Sequence, residues 1–283
     1  MSMTVKFWGV RGSIASPGAE TALVGGNTSC VEVQVGETRL VLDAGTGLRR
    51  LGNELLKHGP VDVTLLLSHV HWDHIQGIPF FAPLYAPDTR VHVVTGANGT
   101  PTREVLRRQM SAPMFPVDIN DVPAALTFSE VRERQCFTVG EAEVTVARAN
   151  HPDQVYAYRI ASGGRSVVYA TDTEHYRCVD PRLVALARDA DVLIYDAQYL
   201  PGEYAGEGGM SRVGWGHSTW EAAVELAHAA GVGQLVLFHH DPSRTDDGVA
   251  AIEAQARQSF GDVVAAREGL SITLGSVGSA RAA

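Results

Sequence analysis

Cysteine is scarce in this chain. Cys30, Cys136 and Cys178 are the only three, far apart and odd in number. None is paired at thiolate metal-site spacing, so reduced structural thiols are expected rather than a disulfide framework. Long uncharged apolar runs are missing too, which removes a membrane-spanning helix from the expectations. No signal peptide is read at the N-terminus, where Lys6 falls inside a strand-like segment, so a cytoplasmic location is expected. Positive charge is in deficit: 23 basic against 32 acidic side chains leave a net charge of −9. Gripping long nucleic acid calls for basic surface that displaces phosphate counterions, so long nucleic acid is not an expected partner. Arg103, Arg107 and Arg108 come nearest to a basic patch, and on a helix they would form one solvated face. Repeats, low-complexity tracts and linkers are also lacking, which points to one domain over residues 1–283.

What is present is an ordered alternation of elements. Residues 4–8 read as a strand, and residues 29–35 and 38–43 as a hairpin around Gly36-Glu37. A helix over 48–58 is closed by Gly59-Pro60, and strands are predicted over 61–68 and 90–95. Residues 96–124 carry Pro101, Pro113, Pro116 and Pro123 and are the least regular stretch, with a helix near 104–110. An excursion of that length reads as a lid or interface. Strands follow over 126–131, 143–149, 155–161 and 166–170. Then come a helix over 181–189, a strand over 191–195, a helix over 219–230, a strand over 234–238 and a long helix over 244–260. Ser218-Thr219-Trp220-Glu221 has capping-box spacing, with Ser218 as the cap. Strand-rich sequence followed by α/β alternation implies an α+β fold of two packed sheets covered by helices.

The chemistry concentrates in His69-Val70-His71-Trp72-Asp73-His74, directly after the apolar strand Val61–Ser68. Three imidazoles and a carboxylate at a strand's carboxyl end make a poor core and a good metal site, with ligands suited to zinc. In a strand-end loop His69 and His71 can face one point while Asp73 and His74 face its neighbour, so two close sites are expected. Further polar residues end other predicted strands: Asn150-His151-Pro152, Thr171-Asp172-Thr173, Asp196 and His239-His240-Asp241. Each alone reads as a cap; together they point to one rim of the sheets. His58, His92 and His228 are read as structural and His175 as a candidate pocket lining. Trp72, Trp215 and Trp220 are read as packing around the metal loops.

With these residues the chain resembles the metallo-β-lactamase fold superfamily, specifically its RNase Z-like phosphodiesterase branch. Beside the His-x-His-x-Asp-His run, the branch's opening motifs are matched by Gly25-Gly26-Asn27-Thr28-Ser29 and Leu42-Asp43-Ala44-Gly45-Thr46-Gly47. Its closing pair is matched by Gly216-His217-Ser218-Thr219 and Leu237-Phe238-His239. Ile194–Tyr199 resembles a His-Glu-Ala-Thr-type segment in which Asp196 replaces the Glu, shortening its reach. The resemblance implies a four-layer αβ/βα sandwich, two mixed sheets with outer helices. It implies two divalent ions, zinc expected and manganese the alternative. His69, His71 and His151 would bind the first, Asp73, His74 and His239 the second, and Asp172 would bridge them. His240 rivals His239, and Asp43 would support the ligand loop. A homodimer is implied as well.

Two cations roughly 3.5–4 Å apart hold a bridging hydroxide at neutral pH and polarise a phosphoryl oxygen. Asp73 would orient that nucleophile, His217 would protonate the leaving alkoxide, and Asp196 would fix the His217 tautomer. The expected substrate is a small phosphodiester, foremost a cyclic nucleotide. The His217/His239 pair, the acidic charge and the lack of a glycine-rich basic arm all favour it. The alternatives are a tRNA 3′-end endonuclease, a carbon-ester, thioester or lactone hydrolase, and a non-catalytic metal-binding scaffold. The last is disfavoured because no ligand is missing.

Overall fold

The computed structural model describes residues 2–97 and 99–275. Its strands form two seven-stranded sheets. The first contains β1 (Met3–Gly9), β2 (Cys30–Val35), β3 (Thr38–Leu42), β4 (Asp62–Leu67), β5 (Arg90–Gly96), β6 (Ala125–Val131) and β14 (Ser271–Leu274), in the order β14-β1-β2-β3-β4-β5-β6. The second contains β7 (Cys136–Val139), β8 (Ala142–Arg148), β9 (Tyr156–Ser162), β10 (Arg165–Ala170), β11 (Val192–Asp196), β12 (Gln234–Phe238) and β13 (Val263–Ala265), in the order β13-β12-β11-β10-β9-β8-β7. Each sheet is antiparallel in one part and parallel in the other. β3 to β6 are parallel, as are β10 to β13.

Period-two alternation decides which layer each side chain enters. Leu66 of β4 and Ile194 of β11 point between the sheets, into a core shared with Phe7, Tyr158, Tyr169 and Phe238. Their neighbours point outwards. Leu65 and Leu67 meet Leu48, Leu51 and Leu55 of α1 (Gly47–Leu55). Leu193 and Tyr195 meet Leu183 and Leu186 of α4 (Pro181–Ala187), Leu226 of α6 (Trp220–Ala230) and Ile252 of α7 (Asp246–Ser259). Strands buried on both faces explain the continuous apolar runs of β4, β11 and β12. The result is helix, sheet, sheet, helix: the expected four-layer sandwich. No helix among the described residues is long and apolar enough to cross a membrane.

Several details differ from the sequence reading. The cap of α6 is Thr219, whose hydroxyl accepts from Ala222 N, while the Ser218 hydroxyl is buried and donates to Thr173 O. β7, β13 and β14 were not predicted; at three or four residues each they carry too little alternation to read. The ligand run itself turns into a short helix, α2 (Trp72–Ile75). Within 96–124, α3 (Thr102–Gln109) packs Leu106 into the outer core with Met110 and Ile119, and Gln109 donates to Ile75 O at 3.0 Å. Arg107 and Arg108 pair with Glu104 and Arg103 with Asn120, so no free basic face results.

Candidate metal centre

The polar strand ends meet at one rim. His69 follows β4, His151 follows β8, Asp172 follows β10, Asp196 ends β11 and His239 follows β12. The α2 helix supplies Asp73 and His74. His69, His71 and His151 form one group whose donor atoms lie within 4.8 Å of one another; Asp73, His74, Asp172 and His239 form a second. Asp172 touches both. Its Oδ1 is 3.2 Å from Nε2 of both His74 and His239, and its Oδ2 is 3.7 Å from His69 Nε2 and 3.8 Å from His151 Nε2. Asp73 Oδ2 is 3.2 Å from the same nitrogens of His74 and His239.

The donor set fits cations. His69 Nε2 and His74 Nε2, the ring nitrogens nearest Asp172, are buried without a hydrogen-bond partner, a costly state for polar atoms in a protein interior. The buried carboxylates Asp73 and Asp172 pair with no Lys or Arg among the described residues, only with imidazoles. Burial would push the His74 imidazole down, yet Asp172, Asp73 and Asp43 outweigh it and raise it well above the usual range. Burial also opposes ionisation of Asp172, but His239 and His74 hold its carboxyl well below the usual range. This group therefore calls for positive charge. In the other group burial dominates, pushing His69 well down and His151 down to about 4, so these rings are neutral donors.

Around the donors lies a supporting network. Asp43 accepts from Ser68 N (2.7 Å), Ser68 Oγ (2.8 Å) and Tyr169 OH (2.7 Å), and its Oδ2 is 2.7 Å from His74 Nδ1. The opening motifs clasp each other: Thr28 N donates to Thr46 Oγ1 and Thr46 N to Thr28 Oγ1. Asp43, Asp172 and His239 all have left-handed backbone, with φ of 59°, 50° and 59°. Such strain costs of order 1–3 kcal/mol per residue and persists where surrounding contacts over-determine it.

His217 and Asp196 form a buried pair beside the donors. Nδ1 of His217 is 2.9 Å from Asp196 Oδ2, and its ring lies 5.0 Å from His239 and 5.6 Å from His151. Burial alone would lower this imidazole, but Asp196 outweighs it and holds it up at about 9. The shorter Asp196 reaches its partner because the backbone comes to it: Asp172 N, Gln198 N and Ser218 N all donate to its carboxylate.

His240 is turned away, with Nε2 2.9 Å from Ala266 O, and burial pushes it down to about 3. His175 packs on Tyr204 at 4.4 Å between ring centroids, outside the donor groups. Trp72 and Trp215 do not pack around the loops: they are 61% and 46% exposed. Sequence reasoning missed Gln198, whose Oε1 is 2.9 Å from His239 Nδ1, and Ser13, whose N–H donates to Asp73 Oδ2 at 2.7 Å. It also missed Glu174, which accepts from Gly214 N, Gly216 N and Tyr204 OH. Gly12 leaves room for His239: a Cβ there would stand 2.4 Å from the imidazole. Gln198 and Glu174 stand two positions past Asp196 and Asp172, but nothing in that spacing marks their roles.

Residues 38–240 match the sequence profile of the beta-lactamase superfamily domain. The chain belongs to the metallo-β-lactamase superfamily, in its RNase Z-like branch. It is 26% identical to a ribonuclease Z of Haloarcula marismortui, with 95% of this chain and 96% of that one aligned. In structure it is similar to the metallo-β-lactamase fold protein YhfI of Bacillus subtilis, with a TM-score of 0.73, 22% identity, and 96% and 99% of the two chains covered. It is also similar to a diphosphatase of the PhnP family, with a TM-score of 0.70, 20% identity, and 97% and 98% covered. Within the metallo-β-lactamase superfamily the chain is a metal-dependent hydrolase, and its His/Asp groups suggest a binuclear site.

Proposed function

We propose that the chain is a binuclear phosphodiesterase that hydrolyses a small phosphodiester, foremost a cyclic nucleotide. The His217–Asp196 pair beside the two donor groups carries this reading over other hydrolyses. A phosphodiester's leaving group departs as an alkoxide and needs a proton, and a buried imidazole held up by a carboxylate is a proton donor suited to that demand.

His69, His71 and His151 would hold one ion and Asp73, His74 and His239 the other, with Asp172 between them; zinc suits this set and manganese is accepted by it. When bound, the two ions polarise the phosphoryl oxygens and lower the pKa of the attacking water. Asp73, anchored by Ser13 N, orients that water. Asp196 fixes Nδ1–H of His217, so that Nε2 faces the scissile bond and protonates the leaving oxygen. Thr100 and Val105 from the 96–124 excursion line a cavity of about 400 Å³ with His69, His71 and Asp153, which supports its reading as a wall or lid of the substrate site. A cytoplasmic homodimer with one domain per chain completes the proposal.

The second reading is a tRNA 3′-end endonuclease, supported by the ribonuclease Z name of the relative aligned over nearly the whole chain. Against it stand the net charge of −9 and the pairing of Arg107 and Arg108 with Glu104. One panel separates the readings: 3′,5′- and 2′,3′-cyclic nucleotides, bis(p-nitrophenyl) phosphate, precursor tRNA, a lactone and a thioester. Cyclic nucleotides should be cut fastest; a panel led by precursor tRNA or by a carbon ester overturns the proposal. His217→Ala should slow turnover by about 10²–10⁴-fold with metal content unchanged, and full activity would remove His217 from the acid role.

A further inference from the structure

We infer that Arg212 and Trp215 form a subsite for a second oxyanion of the substrate, beyond the bond that is cut; this rests on the phosphodiesterase reading. The Arg212 guanidinium lies 4.4 Å from the centroid of Trp215 and 5.9 Å from that of Tyr199. It is half-buried, and among the described residues its side chain makes no hydrogen bond or ion pair. Glu203, the carboxylate whose ionisation it influences, is taken by Arg244 at 2.6 Å. A planar fork steadied by aromatic rings and without an acceptor among the described residues is prepared for a bidentate one, such as phosphate oxygens.

The location says which oxyanion. The Tyr199 ring lies between, 5.9 Å from Arg212 and 5.7 Å from His217, and His217 in turn stacks on His239 at 5.0 Å. The reacting phosphate belongs at the donor groups, two rings away, so Arg212 meets a different group on the leaving side. The loop that carries it is pinned. Arg212 N and Ser211 Oγ both donate to Tyr204 O at 3.1 Å, and Gly214 N and Gly216 N donate to Glu174. A 3′,5′-cyclic nucleotide has no second phosphate to offer, whereas a linear diester ending in a phosphate has one. Cyclic nucleotides would leave the subsite unused, and among linear diesters it would select short ones that end in a second phosphate.

The test uses the full-length, metal-loaded protein, titrated with adenosine 3′,5′-bisphosphate and adenosine 5′-monophosphate while tryptophan fluorescence and calorimetry are followed. The wild type should bind the bisphosphate about tenfold more tightly, and R212Q should bring that ratio close to one. R212K, which keeps the charge and loses the fork, should retain only part of the preference. The same ratio should appear in kcat/KM for ApA bearing a terminal phosphate against plain ApA, expressed in KM because the contact is remote from the reacting atoms. An undiminished bisphosphate preference in R212Q overturns the subsite. So does guanosine 5′-monophosphate binding as tightly as the bisphosphate, because the fork would then be reading a base edge. A wild type that prefers the bisphosphate but cuts no phosphodiester sinks the activity reading alone; one that cuts diesters without that preference sinks the subsite alone.

Discussion

The two halves of the donor constellation are built on opposite principles. His69, His71 and His151 are three imidazoles with no carboxylate among them; burial lowers His69 and His151, while the third stands at the surface, the His71 side chain being 42% exposed. Asp73, His74, Asp172 and His239 put two carboxylates into a sealed pocket in which both imidazoles are fully buried. Coulomb attraction for a cation is strong where water is excluded and weak where it is admitted. The sealed half should therefore hold its ion tightly and the open half should exchange it. Chelation should empty the two halves in sequence, the open one first.

Asp172 is the one side chain common to both halves, so its loss should erase the difference between them. Asp172→Ala is expected to lower kcat/KM by about 10³ or more, corresponding to several kcal/mol of lost charge stabilisation, and to leave less than one tightly held ion per chain. Metal analysis alongside kinetics checks this. A variant that keeps two ions and full activity would show that the halves act independently.

Asp43 tests the sealed half alone. It touches no substrate-facing atom, yet it ties His74, Ser68 and Tyr169 together in the interior. Removing a partner that orients a metal-binding histidine typically costs 10–100-fold in affinity. Asp43→Asn should weaken the tight ion by about that factor in a chelator competition and leave the weaker ion's affinity unaltered. Equal weakening of both would mean that Asp43 supports the whole rim.

Much of this architecture was legible because it is periodic or local. The apolar runs of β4, β11 and β12 each lead into a polar residue, His69, Asp196 and His239, and that local pattern points to a shared rim. Long-range pairings left no such trace. β14 closes the first sheet by pairing Leu274 with Met3, a match between chain ends that no local pattern encodes. Gln198, Glu174 and Arg212 were invisible for a related reason: their roles depend on what lies across the site, not on spacing along the chain. Ser218 shows the limit of local rules. Its capping pattern was present, but a buried carbonyl on another loop claimed its hydroxyl.

The finest distinction between the halves is how their histidines are steadied, and it yields the smallest predicted effect. In the sealed half Asp43 holds His74 Nδ1 at 2.7 Å with both side chains fully buried; in the open half Asp153 holds His71 Nε2 at 2.8 Å, but Asp153 is 73% exposed. The two distances are nearly the same, so geometry alone would rank the contacts as equals. The dielectric does not. Exposed ion pairs are typically worth about 0–1 kcal/mol, because solvent screens them and ordering two side chains costs entropy. A ring whose Nε2 is lost to Asp153 still has Nδ1 for the metal, and water can replace the carboxylate at Nε2. Asp153→Asn should therefore weaken the open-half ion by no more than about fivefold, against 10–100-fold for Asp43→Asn at its partner. Isothermal titration of both variants with the same metal reads the two numbers directly. A tenfold or larger loss in Asp153→Asn would mean that this contact is desolvated when metal is bound, and that the open half closes as it loads.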